Sequence, residues 1–157
     1  MPKSAASLSE NARGDISEAL AQGLSNTVVA TMLAQNFHWN VQGMSFGSLH
    51  ALFMEIYEDH FVGQDDLAER IRALQKPTEG RLAKHLELAD IKEQGHDKPA
   101  EEMVRLLMEA EETLSKSMEK IAAVAIEHED SFTEDLAVER TRVHDKFAWM
   151  LRAHINT

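Results

Sequence analysis

Four stretches of roughly 25 residues, each with apolar side chains returning every third or fourth position, leave this chain few architectures to choose from. Ile16, Leu20, Leu24 and Val28 step along the first, which the pattern extends from about Asp15 to Gln42. The second runs from near Phe46 to about Gln75 and is stopped by Pro77 and Gly80. Met103, Leu107, Ala110, Leu114, Met118, Ile121 and Ala125 form the stripe of the third, which follows Asp97, a good N-cap, and Pro99. Leu136, Val143, Phe147, Met150 and Leu151 mark the fourth. Asp15 with Glu18, and Ser131 with Glu134, have capping-box spacing, and Gly43 is a natural stop for the first helix. A helix with one apolar stripe must bury it against others, and four of this length specify an all-α four-helix bundle. The long joint, Pro77 to Lys98, falls between the second and third helices, and Leu82, Leu86 and Ala89 predict a short extra helix within it. The expected layout is a flexible N-terminal tail over residues 1–14 and a bundle over 15–157.

Composition agrees with one such domain. The chain has 157 residues, and its three prolines and seven glycines leave long helices uninterrupted. Its longest apolar run, Ile121 to Ile126, falls far short of the ~18–20 residues needed to cross a bilayer. The opening MPKSAASLSENARGD lacks the apolar stretch of a secretory signal, so a cytoplasmic protein without a membrane partner is expected. With no cysteine, disulfides and thiolate metal sites are excluded. A net charge of −11 argues against a broad surface for nucleic acid or anionic lipid, and is compatible with attracting cations.

The second helix carries an unusual face. At about 100° per residue, His50, Met54, Glu58, Phe61, Asp65 and Glu69 share one sector. Facing water, its polar groups need no explanation; buried, they need partners, and a metal ion is an efficient one. His50 and Asp65 are roughly 22 Å apart along a helix, too far for one metal centre. Two copies packed antiparallel about a two-fold axis near Tyr57 to Asp59 would set His50 of one chain beside Asp65 and Glu69 of the other, giving two equivalent sites. His38 points the same way as Leu20, into the bundle. Imidazole and carboxylate donors together suit divalent iron or zinc.

His38-Trp39-Asn40-Val41, Gly43, Phe46 and Leu49-His50, followed by Asp65, Ala68-Glu69-Arg70-Ile71 and Leu74, resemble the signature of the Dps family of mini-ferritins. The motif covers His38 to Leu74, and the helical layout extends the resemblance over nearly the whole chain. It implies a ferritin-like four-helix bundle assembled as a homododecameric shell, with ferroxidase centres across its two-fold interfaces. His38 and His50 would come from one subunit, and Asp65 and Glu69 from its neighbour, with Glu69 bridging two metal positions. Iron(II) would be oxidised there to iron(III), preferentially by hydrogen peroxide, and ferric mineral would collect inside, protecting against oxidative stress. Trp39 matches a tryptophan close to the family's centre.

The chain departs from the family at Met54, four residues after His50, where a carboxylate is usual. A thioether is a poor ligand for hard iron(II). The first metal position, with His38, Asp65 and Glu69, is expected to survive; the second, with His50 and a shared Glu69, is expected to be weak. Glu58 is a conceivable substitute, and zinc is the alternative metal for the site. Tyr57 and Phe61 read as interface packing and Trp149 as fourth-helix core. His60, His85, His96, His128, His144 and His154 show no shared ligand spacing. The Glu-x-x-His string of other ferritins occurs only at Glu93 and His96, in the crossover, which disfavours a di-iron centre inside one subunit.

In the acidic group Glu127, Glu129, Asp130, Glu134 and Asp135, the resemblance points to Asp135 as the best match to a pore acid, whereas Glu134 is equally read as a helix-start charge. Two other functions compete with iron storage. Some Dps relatives compact DNA through Lys-rich tails, but here the tail before Asp15 has only Lys3 and Arg13, offset by Glu10, so DNA binding is not expected. A shell with a zinc-occupied or inactive centre, serving as an interaction protein, is suggested by Met54 alone.

Overall fold

The computed structural model describes residues 1–155. Five α-helices follow one another: α1 Glu10–Asn40, α2 Phe46–Ala73, α3 Leu82–Leu88, α4 Ala100–Glu127 and α5 Ser131–Ile155. A single helical turn at Ala5–Ser7 precedes them, and no strand occurs among the described residues. α1 packs along α2 and α4, α4 along α5, and the short α3 lies against α1. This is the expected all-α four-helix bundle, with the extra helix inside the long crossover between α2 and α4. No helix among the described residues is long and apolar enough to cross a membrane.

The ends of the helices differ from the sequence expectation. α1 starts at Glu10, not Asp15, because Ser9 adopts an extended conformation and its hydroxyl accepts the Ala12 N–H at 3.1 Å. Residues 10–14, assigned to a tail, are therefore helical. Leu8 is buried beside Ile16, and the Lys3 N–H donates to the Glu129 carbonyl at 3.1 Å. Asp15 caps nothing and instead accepts from His128 at 3.0 Å. α1 ends at Asn40, two residues before Gln42, and Gly43 turns the chain with φ +108°. α4 begins after Pro99 rather than Asp97, since proline presets an extended entry and has no N–H to satisfy.

At α5 the capping carboxylate is Asp130, not the pair Ser131 and Glu134. Fully buried, Asp130 accepts the Thr133 N–H at 3.1 Å and both of its oxygens take Arg70 Nη2, at 2.9 and 3.1 Å. The arginine of the Ala68–Ile71 motif thus clamps α2 to the α4–α5 joint.

Gln75, just past the end of α2, has φ +66° and an exposed side chain. A left-handed conformation costs an ordinary L-residue roughly 1–2 kcal/mol and glycine almost nothing. Gln75→Gly is expected to stabilise the subunit by about 1 kcal/mol, read as a higher thermal unfolding midpoint at fixed subunit concentration.

Inside the bundle the apolar core falls into two clusters. One gathers Phe37, Phe53, Ile56, Leu107, Leu114 and Phe147; the other gathers Ile16, Leu20, Leu67, Ile71, Met118 and Ile121. On α2 the change from one to the other falls between Ile56 and Leu67, and on α5 between Ala137 and Phe147. Those intervals contain His60 and Gly63, and Arg140 and His144, so a buried polar layer separates the clusters.

Candidate functional site

His38, near the end of α1, and His50, in the first turns of α2, meet across the turn that joins the two helices. His38 Nδ1 bonds the His50 carbonyl at 2.6 Å, and His50 Nδ1 bonds the His38 carbonyl at 2.8 Å. The rings stack with centroids 3.7 Å apart and planes 15° from parallel. A carbonyl oxygen can only accept, so each Nδ1 donates, and Nε2 is the atom through which each neutral ring would take a metal ion. Such a tie on one ring nitrogen is what fixes the tautomer and orientation of metal-binding histidines. Tyr57 stands edge-on to His38 at 5.2 Å, and Phe46 covers His50 at 4.9 Å. Both imidazoles are therefore held before any ligand arrives.

Asp65 and Glu69 are exposed on the far part of α2. Fifteen helical residues, roughly 22 Å, separate Asp65 from His50. One subunit brings His38 and His50 together and keeps both carboxylates away from them. Met54 and Glu58 are exposed on the same helix. Trp39 and Phe61 are 60% and 69% exposed, and with Met32, Leu82 and Leu86 they line a groove of about 430 Å³ between α1, α2 and α3.

A second cluster lies in the polar layer. His60 of α2, Glu111 of α4 and His144 of α5 are each no more than 1% exposed, and their ligand-type atoms lie within 4.8 Å of one another. His60 Nε2 bonds Glu111 Oε1, and His144 Nδ1 bonds Glu111 Oε2 at 2.7 Å. On its other side, His60 Nδ1 bonds Asp59 Oδ2 at 3.0 Å, and Asp59 takes a two-pronged contact from Arg140 at 2.8 and 3.2 Å. Gly63 makes room for that guanidinium, since a Cβ there would meet it at 2.8 Å.

Burial opposes charge on His60, but the Glu111 carboxylate and the Asp59 hydrogen bond outweigh it and raise the imidazole to about 9. Burial pushes Glu111 up, and the charge of His60 with the His144 hydrogen bond brings it below the usual carboxylate range. Asp59 is lowered as well: His60 and Arg140 overcome its partial burial. His144 is held below the ordinary imidazole value, chiefly by burial, so it stays neutral. The charges alternate along Arg140, Asp59, His60 and Glu111, and end on a neutral ring.

A ferritin-like domain model matches residues 17–157. DNA protection during starvation protein 2 of Bacillus anthracis is 35% identical over 121 residues, spanning 77% of this chain and 83% of that protein. The chain belongs to the Dps family. Two Dps crystal structures show how closely the fold is kept. The Dps protein of Vibrio cholerae O1, described as a member of a broad superfamily of ferritin-like diiron-carboxylate proteins, superposes with a TM-score of 0.92 at 31% identity, covering 99% of this chain and 98% of that one. Dps from Staphylococcus aureus superposes with a TM-score of 0.87 at 34% identity, covering 90% and 95%.

Within this Dps subunit, two sequence expectations need correction. His60 and His144, dismissed with the other histidines, share a buried site with Glu111. Their signal was present: both occupy the buried stripe of their helices, His60 between Ile56 and Leu67, His144 between Ala137 and Phe147. Polar residues in an apolar stripe require partners, and those partners lie on other helices. Trp149, read as core, is 61% exposed, because the buried stripe of α5 runs through Arg140, His144, Phe147 and Leu151 on another side. In the acidic group, Asp130 is a buried cap and Glu129 pairs with Lys3, while Glu127 and Asp135 are both exposed. Of the remaining histidines, His85 bonds Ser25 at 2.9 Å and so ties α3 to α1, and His154 bonds the Met150 carbonyl one turn back at 2.9 Å.

Proposed function

We propose that this Dps subunit assembles into a hollow homododecamer that binds iron(II) between subunits, oxidises it with hydrogen peroxide and stores the ferric product. The observation that carries the reading is the stacked pair His38 and His50, whose Nδ1 atoms are both tied to carbonyls while both Nε2 lone pairs remain for a cation. A second copy laid antiparallel on the α1–α2 face would bring Asp65 and Glu69 to that pair. The exposed Trp39, Phe61 and Leu82 beside the groove supply apolar area for such a contact. Neutral imidazoles and acceptor-only carboxylates form the donor set that divalent iron takes, with zinc as a competitor for the same atoms. In the reaction each iron(II) gives up one electron, and a peroxide molecule accepts two as its O–O bond breaks and protons convert the fragments to water. The protein contributes by holding the metal ions together and by supplying negative charge that favours iron(III).

Iron storage is favoured over DNA compaction by the charge of −11 per subunit and by a tail whose lysine is paired with Glu129. Asp135 is proposed as an acid at the pore through which iron(II) enters. The test is anaerobic titration of purified protein with iron(II), followed by hydrogen peroxide, while the rise of ferric absorbance and the particle mass are recorded. Rapid oxidation in a shell-sized particle supports the proposal. A shell that leaves iron at the buffer rate would favour an inactive or zinc-filled centre.

Met54 makes the second metal position the weaker one in this scheme. Met54→Glu would place a carboxylate one helical turn from His50 on an exposed face. It is expected to raise the number of iron(II) ions bound per site in anaerobic titration and to speed their oxidation several-fold. An unchanged stoichiometry would show that Glu58 or water already completes the position.

A further inference from the structure

We propose that His60, Glu111 and His144 form a second cation site, buried within each subunit and filled by a divalent first-row metal such as zinc. The site is separate from the intersubunit centre: it lies inside the bundle and takes one residue from each of α2, α4 and α5.

Three observations carry it. First, two imidazoles and one carboxylate converge within 4.8 Å from helices that the fold holds rigidly, all of them buried. Two nitrogens and one oxygen are a donor set that zinc and iron(II) accept, with the carboxylate able to bind through one or both oxygens. Second, the support expected behind a metal-binding histidine is already built. Asp59 receives the far N–H of His60 at 3.0 Å, and Arg140 of α5 clamps Asp59 in turn. Gly63 leaves the space this clamp needs. Third, hydrogen bonding alone does not satisfy the cluster. Among the described residues, His144 Nε2 is buried with no partner, and so is Arg140 Nε. A buried polar atom left without a partner is costly and calls for an occupant such as an ion or a water.

Binding displaces both protons that face Glu111: the one on His60 Nε2 leaves to solvent, the one on His144 Nδ1 passes to Nε2 of the same ring, and His60 keeps its Nδ1 proton on Asp59. A cation held this way ties α2, α4 and α5 together at the layer where the two apolar clusters part. Nothing in the sequence spacing of the Dps signature anticipates such a site, because His60, Glu111 and His144 lie outside its ligand positions.

The test removes the intersubunit centre and leaves the buried trio native. Protein carrying His38→Ala and Asp65→Ala is expressed in zinc-supplemented medium, freed of loosely bound metal by brief dialysis against chelator, and measured by elemental analysis. About one zinc per subunit is expected to remain, and crystals are expected to show anomalous density between His60, Glu111 and His144 at the zinc edge. Adding Glu111→Gln, which keeps the volume and one hydrogen-bond acceptor, is expected to release that zinc. Zinc-free shells with an intact fold, or anomalous density everywhere but the trio, would overturn the proposal and leave a proton as the occupant. Because the background lacks His38 and Asp65, either result is independent of whether the intersubunit centre oxidises iron.

Discussion

Asp65→Ala should reduce peroxide-driven iron(II) oxidation to the rate seen without protein, while the shell still assembles. Asp65 is exposed on α2 and its side chain has no hydrogen bond among the described residues, so removing its carboxylate should leave the fold of each subunit unchanged. In the proposed centre the loss would fall on the site alone, because the first metal position would keep only His38 and the shared Glu69. His38→Ala should abolish oxidation as well, but it also removes the ring that His50 stacks on and the bond to the His50 carbonyl. Comparing the two separates ligand loss from loss of orientation. Mixing Asp65→Ala and His38→Ala subunits before assembly gives a sharper check. If the centre is shared between subunits, pairs of unlike mutants regain one intact site in two, and part of the activity returns. If mixed shells stay inactive although they assemble, the intersubunit arrangement is wrong.

Glu111→Ala has the largest expected effect on stability. Glu111 is 1% exposed and receives two imidazoles, one of them protonated and clamped from its other side by Asp59. Removing one partner of a buried charged network typically costs about 3–5 kcal/mol, because the remaining charge is left without compensation. The expected result in metal-free protein is a thermal midpoint far below that of the native chain, measured at fixed subunit concentration. Replacing the trio as a whole, with His60→Leu, Glu111→Leu and His144→Phe, should recover most of that loss, since no unpaired charge remains. Asp59 and Arg140 would still hold each other. A triple variant as unstable as Glu111→Ala would mean that volume, rather than charge, decides the layer.

The helical count, the long crossover and the spacing of His38, His50, Asp65 and Glu69 could be read from the sequence, because each depends on residues near one another along the chain. Apolar periodicity reports a helix and its buried stripe without reference to any partner. The helix ends were less legible. Asp15, Asp97 and Ser131 all look like caps, yet Ser9, Pro99 and Asp130 occupy the ends. Local capping preferences differ by about 1 kcal/mol, and tertiary contacts such as the burial of Leu8 and the clamp of Arg70 on Asp130 are large enough to choose among them. Which way Trp149 points was settled by the rotation of α5 against α4, which no local pattern encodes. The buried trio was farthest from reach. His60 and Glu111 are 51 positions apart, and Glu111 and His144 are 33 apart, so only the packing of three helices makes them neighbours. Sequence alone determined which elements form and where their apolar stripes run; the tertiary structure decided which polar groups are buried and which of them meet, because that depends on the register between helices.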